Sequence, residues 1–113
     1  MHEQSIVESL FTLALENAEK EKANKIIRIN LVVGDLSGVF EEAMNYYFSF
    51  LRIDSIASEA TLAFTHTPAI LLCRNCKKPF ISKNLNFNCP DCKEQQVDIV
   101  SGRELYVESI EVE

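Results

Sequence analysis

Long hydrophobic runs are missing from this 113-residue chain. No stretch approaches the roughly 18 apolar residues that a membrane-spanning helix needs, so no membrane partner is expected. The first residues, Met1-His2-Glu3-Gln4-Ser5, hold no lysine or arginine. Without a basic region ahead of an apolar one there is no secretory signal, and a cytoplasmic protein is expected. Basic residues are also in deficit, 11 against 17 acids, for a net charge of −6 and a pI near 4.9. Nucleic-acid binding draws mainly on basic surface, so this balance argues against a nucleic-acid partner. It suits a protein partner or a cation, although most such charges serve only solubility. No Ser/His/Asp set stands out. The loop Gly34-Asp35-Leu36-Ser37-Gly38 lacks the lysine and spacing of a phosphate-binding loop. These absences argue against an enzyme. No repeat and no low-complexity segment is present.

All four cysteines fall in two pairs, Cys73-Arg74-Asn75-Cys76 and Cys89-Pro90-Asp91-Cys92, separated by twelve residues. Two residues between cysteines let both sulfurs of a tight turn point at one centre. Two such turns facing each other supply a tetrahedron of thiolates, the closed geometry of structural zinc. A thioredoxin-type redox pair would use one such turn at a helix start and leaves the second unexplained. Disulfides require an oxidising compartment. Four thiolates also suit iron, which the spacing does not separate from zinc. No histidine lies near either pair, and Lys77 and Lys93 directly follow the second cysteine of each. They partly offset the formal −2 of zinc with four thiolates. Pro79-Phe80-Ile81 and Leu85-Asn86-Phe87 are long enough to form a short hairpin between the turns.

Ser5-Ile6-Val7-Glu8 has the form of a capping box. Apolar residues then recur at Ile6, Val7, Leu10, Phe11, Ala14, Leu15 and Ala18, predicting an amphipathic helix that ends near Lys22. The β-branched run Ile26–Val33 predicts a strand, with Ile27, Ile29, Leu31 and Val33 on one face. A second helix is expected from about Phe40 to Ile53, with Phe40, Met44, Tyr47, Phe48 and Leu51 as its stripe. Glu41 and Glu42 sit in its first turn, where the helix dipole favours anions. Further strands are expected at Thr61–His66, Val97–Val100 and Leu105–Val112. The alternation of the last changes phase between Val107 and Ile110.

This order predicts an α+β fold: a three-stranded sheet with two helices on one face, and an inserted zinc-ribbon module. Residues 1–68 and 98–113 would form the α+β domain, and residues 69–97 the cysteine module. The module is too small to bury a sufficient core by itself. Metal binding, of the order of 10–16 kcal/mol in zinc-finger peptides, would hold it. His66, on a strand beside Pro68, reads as a packed or half-exposed residue before it reads as a ligand.

His2 holds a distinctive position. The α-amine of Met1, the backbone nitrogen of His2 and the His2 imidazole can close fused chelate rings on one ion, a donor set suited to square-planar Ni(II) or Cu(II). By itself a terminal Met-His is more often only a mobile end. The combination is more specific. Met1-His2-Glu3 opening a helix, Val33-Gly34-Asp35-Leu36-Ser37-Gly38-Val39 before a second helix, and the paired Cys-x-x-Cys closely resemble the hydrogenase nickel-incorporation proteins of the HypA/HybF family. The resemblance spans essentially the whole chain.

It implies a nickel metallochaperone of [NiFe]-hydrogenase maturation and, in some bacteria, of urease. Nickel would bind through the His2 side chain and the backbone nitrogens around it, those of Met1 and Glu3 among the candidates. Zinc would be structural, on Cys73, Cys76, Cys89 and Cys92. The implied partners are a HypB-type GTPase, the hydrogenase large subunit and, where urease is served, urease accessory proteins. Two departures stand out. Family members often carry an acid close after the Gly-x-x-Ser-Gly-Val stretch; that slot here is Phe40, with Glu41 and Glu42 following. Glu3, implicated in the family in nickel binding or docking, is the other nearby acid. The fourth ligand is therefore open among Glu3, Glu41 and Glu42. Histidines that some members carry beside the zinc cysteines are absent, so coupling of pH to zinc ligation through them should be weak or missing.

Overall fold

The computed structural model describes residues 3–82 and 86–113. The chain divides into two compact units. One comprises Met1–Val32, Gly38–Thr65 and Tyr106–Glu113; the other comprises Val33–Ser37 and His66–Leu105. The cysteine unit is thus wider than residues 69–97 and takes in the end of the first strand.

In the first unit, helix α1 spans Glu3–Lys20 and buries Val7, Phe11, Ala14 and Ala18, a spacing of three and four residues. Ser5 lies inside the first turn and not at the helix boundary, so the expected capping box does not start the helix. Its carbonyl instead accepts the Ser9 hydroxyl at 3.0 Å. The C-terminus closes as a Schellman motif. The N–H of Ala23 donates to the Ala18 carbonyl at 2.9 Å and that of Lys22 to Glu19 at 3.0 Å. Lys22 takes the required left-handed conformation, φ 55°.

Strand β1, Ile26–Gly34, is central in a sheet of order β2-β1-β6, with β2 at Thr61–Thr67 and β6 at Leu105–Val112. The C-terminal strand therefore pairs back beside the first, as the element order predicts. Ile29, Leu31 and Val33 are buried as expected, but Ile27 is exposed and Ile26 is not. The phase slips at the strand's start because Ile26 meets the loop after α2, donating its N–H to Ile56 at 2.9 Å. In β6 the half-buried residues are Leu105, Val107 and Ile110, the expected phase change.

Helix α2 runs Glu41–Leu51, shorter than expected at both ends. Phe40 stands before it in extended conformation without a side-chain cap and is 70% exposed. Met44 and Phe48 are the residues of α2 that reach the core, and Phe48 meets Phe11 edge to face at 5.8 Å. Val7, Leu10 and Phe11 of α1, Ile29 and Leu31 of β1, Met44 and Phe48 of α2, and Leu62 of β2 surround one apolar cluster. Ile29 and Leu31 share a strand face, so both helices cover the same side of the sheet. The opposite face carries polar pairs, although Val32 on it is buried. Asn30 donates to the Ser109 hydroxyl at 3.0 Å, and Arg28 pairs with Glu111 at 3.3 Å.

The second unit holds another three-stranded sheet of β3 (Ile70–Cys73), β4 (Pro79–Ile81) and β5 (Val97–Ser101), in the order β4-β3-β5. Strand β3 was not expected. Ala69-Ile70-Leu71-Leu72 is a short continuous apolar run with no alternation to mark it. Strand β4 pairs antiparallel with β3, Ile70 opposite Ile81 and Leu72 opposite Pro79. The expected hairpin between 79–81 and 85–87 is not its partner: Leu85 lies outside the described residues, and Asn86 and Phe87 are in no strand. The first cysteine turn reverses the chain by itself, which places β4 beside the strand that has just entered the turn.

Candidate metal centre

Each Cys-x-x-Cys pair is a tight turn, and the two turns repeat one hydrogen-bond pattern. In the first, Cys73 donates its N–H to the Lys78 carbonyl at 3.1 Å and accepts from Lys77 N–H at 2.8 Å. In the second, Cys89 donates to Glu94 at 2.9 Å and accepts from Lys93 at 2.8 Å. Lys77 and Lys93 close the turns in the left-handed region, φ 59° and 62°. The Cys76 N–H points back at Cys73 Sγ, 3.4 Å away. Arg74 ties the first turn to β5, through its N–H on the Gln96 carbonyl at 2.9 Å and its guanidinium on Asp98 at 2.7 Å.

This folding brings the four sulfurs within 4.8 Å of one another. Cys73 and Cys92 are 3.5 Å apart, and Cys76 and Cys89 3.9 Å. A tetrahedron of sulfurs about 2.3 Å from zinc has edges of roughly 3.8 Å, and these distances bracket that value. A disulfide would need about 2.05 Å, and all four cysteines are free. Cys73 and Cys89 are buried, Cys76 and Cys92 half-buried.

The protons report the same design. The Cys76 thiol is pushed up to about 12, first by its hydrogen bond with Cys92, then by burial and the other two sulfurs. Cys92 is drawn down to about 6, first by the Glu94 N–H, then by the Asn75 side chain and Cys76. The surroundings thus favour the thiol of Cys76 and the thiolate of Cys92. Four sulfur donors around one centre fit zinc with no position left open.

Among the described residues, the cysteines are the one cluster of three or more metal-ligating side chains. Met1 and His2, the expected nickel ligands, lie outside the described residues. Glu3 occupies the first turn of α1, and Glu41 and Glu42 that of α2. His66 is apart from the cysteine cluster. It is half-exposed, with Nδ1 3.9 Å from Asp35 Oδ1. That neighbour was not legible beforehand, because the two lie 31 positions apart in the chain. The polar support of Cys92 by Asn75 was likewise missed, although Asn75 sits inside the first pair.

A sequence model of a family described as hydrogenase/urease nickel incorporation metallochaperone, HypA, matches residues 1–112. The chain belongs to the HypA family. It is 40% identical over 113 residues to the hydrogenase maturation factor HypA of Dehalococcoides mccartyi strain CBDB1, covering all of this chain and 95% of that one. It is 39% identical to HypA of Caldanaerobacter subterraneus subsp. tengcongensis, with both chains covered in full. The fold is similar to the solution structure of the Ni metallochaperone HypA from Helicobacter pylori, with a TM-score of 0.68 at 31% identity, over 99% of this chain and 97% of that one. The HypA family is one of maturation factors and nickel metallochaperones, and the α+β fold expected from the sequence is the HypA fold.

Proposed function

We propose that this chain carries Ni(II) at its N-terminus, through the Met1 α-amine, the His2 backbone nitrogen and the His2 imidazole. The Glu3 backbone nitrogen or a carboxylate from Glu3, Glu41 or Glu42 would complete the set. The observation that carries this reading is the family match along residues 1–112 in a chain that begins Met1-His2-Glu3. A carrier needs an accessible site with few ligands, partly backbone, so that a recipient can strip the ion. A terminal chelate meets that need, and amine, amide and imidazole nitrogens favour square-planar Ni(II).

In this reading Cys73, Cys76, Cys89 and Cys92 hold Zn(II) as a closed structural site, and no residue is catalytic. The two-helix unit carries nickel, and the cysteine unit carries zinc. The recipient is the [NiFe]-hydrogenase large subunit, with a HypB-type GTPase as partner and urease accessory proteins where urease is served. The setting is the cytoplasm, consistent with the lack, among the described residues, of a helix long and apolar enough to cross a membrane.

The test is a nickel titration of untagged, zinc-loaded protein against His2→Ala, followed by the visible d–d band. One equivalent with a square-planar band, lost in the variant, supports the terminal site. Equal binding by both proteins moves nickel elsewhere, most plainly to the cysteines, and leaves a zinc-ribbon adaptor.

A further inference from the structure

Helix α2 carries a second apolar face. Tyr46, Phe50 and Ile53 recur at steps of four and three residues along the helix and the turn after it. They remain 60%, 58% and 61% exposed while Met44 and Phe48 are buried. The exposed rings are not loose. Tyr46 meets Tyr47 edge-on at 5.3 Å and Phe50 at 5.0 Å, with interplanar angles of 74° and 81°. Alongside runs a groove of about 330 Å³ between the two helices, lined by Gln4, Glu8, Tyr46, Tyr47, Phe50 and Leu51.

The charge around this groove has one sign. Glu8 lines it, and Glu42 stands one helical turn before Tyr46. No lysine or arginine precedes Lys20 in the chain, and α2 contains none. Arg52, just past α2, is committed to the Ala60 carbonyl at 3.0 Å. Ring faces attract cations, and packed, rigid aromatics are favoured anchors at protein interfaces. A groove between helices with an aromatic floor and an acidic rim fits an amphipathic helix, read through anchors three and four residues apart.

We propose that this groove docks a helix of a partner protein that presents leucine or methionine on one face, flanked by lysine or arginine. A second copy of this chain is the poorer occupant, since it would set acid against acid in a protein of net charge −6.

Fluorescence anisotropy tests this with a labelled leucine–lysine amphipathic helix, roughly 18 residues so that it is helical, added to the zinc-loaded full chain without nickel. Saturable one-to-one binding is expected. Tyr46→Ala and Phe50→Ala should each weaken it about tenfold, with thermal unfolding unchanged because both side chains face solvent. Glu8→Gln should flatten the salt dependence. Ile81→Ala, an exposed apolar site in the cysteine unit, should bind as wild type. A leucine–glutamate helix should not bind. Equal affinity in wild type, Tyr46→Ala and Phe50→Ala would overturn the proposal, as would equal binding of the glutamate helix. A dimer in sedimentation velocity that Phe50→Ala splits would assign the face to a second copy instead.

Discussion

Gly34 and Gly102 cross backbone on backbone. A β-carbon on Gly34 would overlap the Gly102 carbonyl. That same oxygen accepts the Leu36 N–H at 2.6 Å, while Gly102 donates its N–H to the Glu104 carboxylate at 2.7 Å. The crossing secures Val33–Ser37 within the cysteine unit.

Gly34→Ala should therefore be costly. The obstacle is backbone, which cannot rotate aside, and overpacking typically costs about 1–3 kcal/mol. Gly38→Ala is the control. Gly38 has φ 79° but open space where a β-carbon would go, so only the left-handed penalty of ~1 kcal/mol applies. Urea unfolding of the zinc-loaded proteins should rank wild type, Gly38→Ala, Gly34→Ala in falling stability. The reverse order for the two variants would mean that the crossing is not tight.

Chelating the metal should unfold the cysteine unit selectively. Its buried apolar side chains are few, chiefly Val33, Ala69 and Leu71 beside Cys73 and Cys89. Metal binding supplies folding free energy in such modules. The two-helix unit has its own core. Hydrogen exchange should show protection lost at Leu71, Cys73 and Ile99 and retained at Ile29 and Leu31. Uniform loss at both sets would refute a separate, metal-dependent unit.

Lys77→Gly and Lys93→Gly separate backbone strain from charge. Each lysine sits at positive φ, where a β-carbon costs ~1 kcal/mol or more. Alanine removes the ammonium and keeps the strain; glycine removes both. In chelator competition, each glycine variant should hold the metal more tightly than its alanine counterpart, by about fivefold for ~1 kcal/mol. If alanine and glycine match, the strain has no consequence.

Lys25 and Glu59 form an exposed ion pair that gives a pH signature in the two-helix unit. The hydrogen bond from Lys25, and then its charge, hold Glu59 below its ordinary 4.5. The hydrogen bond to Glu59, and then its charge, raise Lys25 above 10.5. The pair's contribution is thus whole between these ordinary values. It fades as pH falls below 4.5 through the depressed value of Glu59, and as pH rises above 10.5 through the raised value of Lys25. Carboxyl NMR titration should place the Glu59 midpoint below 4.5, and Lys25→Met should return it to the ordinary value. A midpoint unmoved by that substitution would remove the pair.

Much of the molecule was legible in residue order, where a local rule sufficed. The spacing of three and four marked both helices, β-branched alternation marked β1, and two residues between cysteines marked the turns that gather the sulfurs. Each signal is carried by neighbours along the chain, so the physics that reads it is short-ranged. The cysteine reading needed no fold at all, because a Cys-x-x-Cys turn aims its own sulfurs.

Tertiary structure decided the rest. Strand β3 has no period of its own and exists because β4 and β5 pair on either side of it. Val33–Ser37 joins the cysteine unit because Gly34 and Gly102 lack side chains that would keep the backbones apart. Asp35 met His66 only when distant segments came together. Periodicity shows that a helix has apolar faces but not how many neighbours arrive to cover them. On α2 the core covered Met44 and Phe48 and left Tyr46 and Phe50 in water.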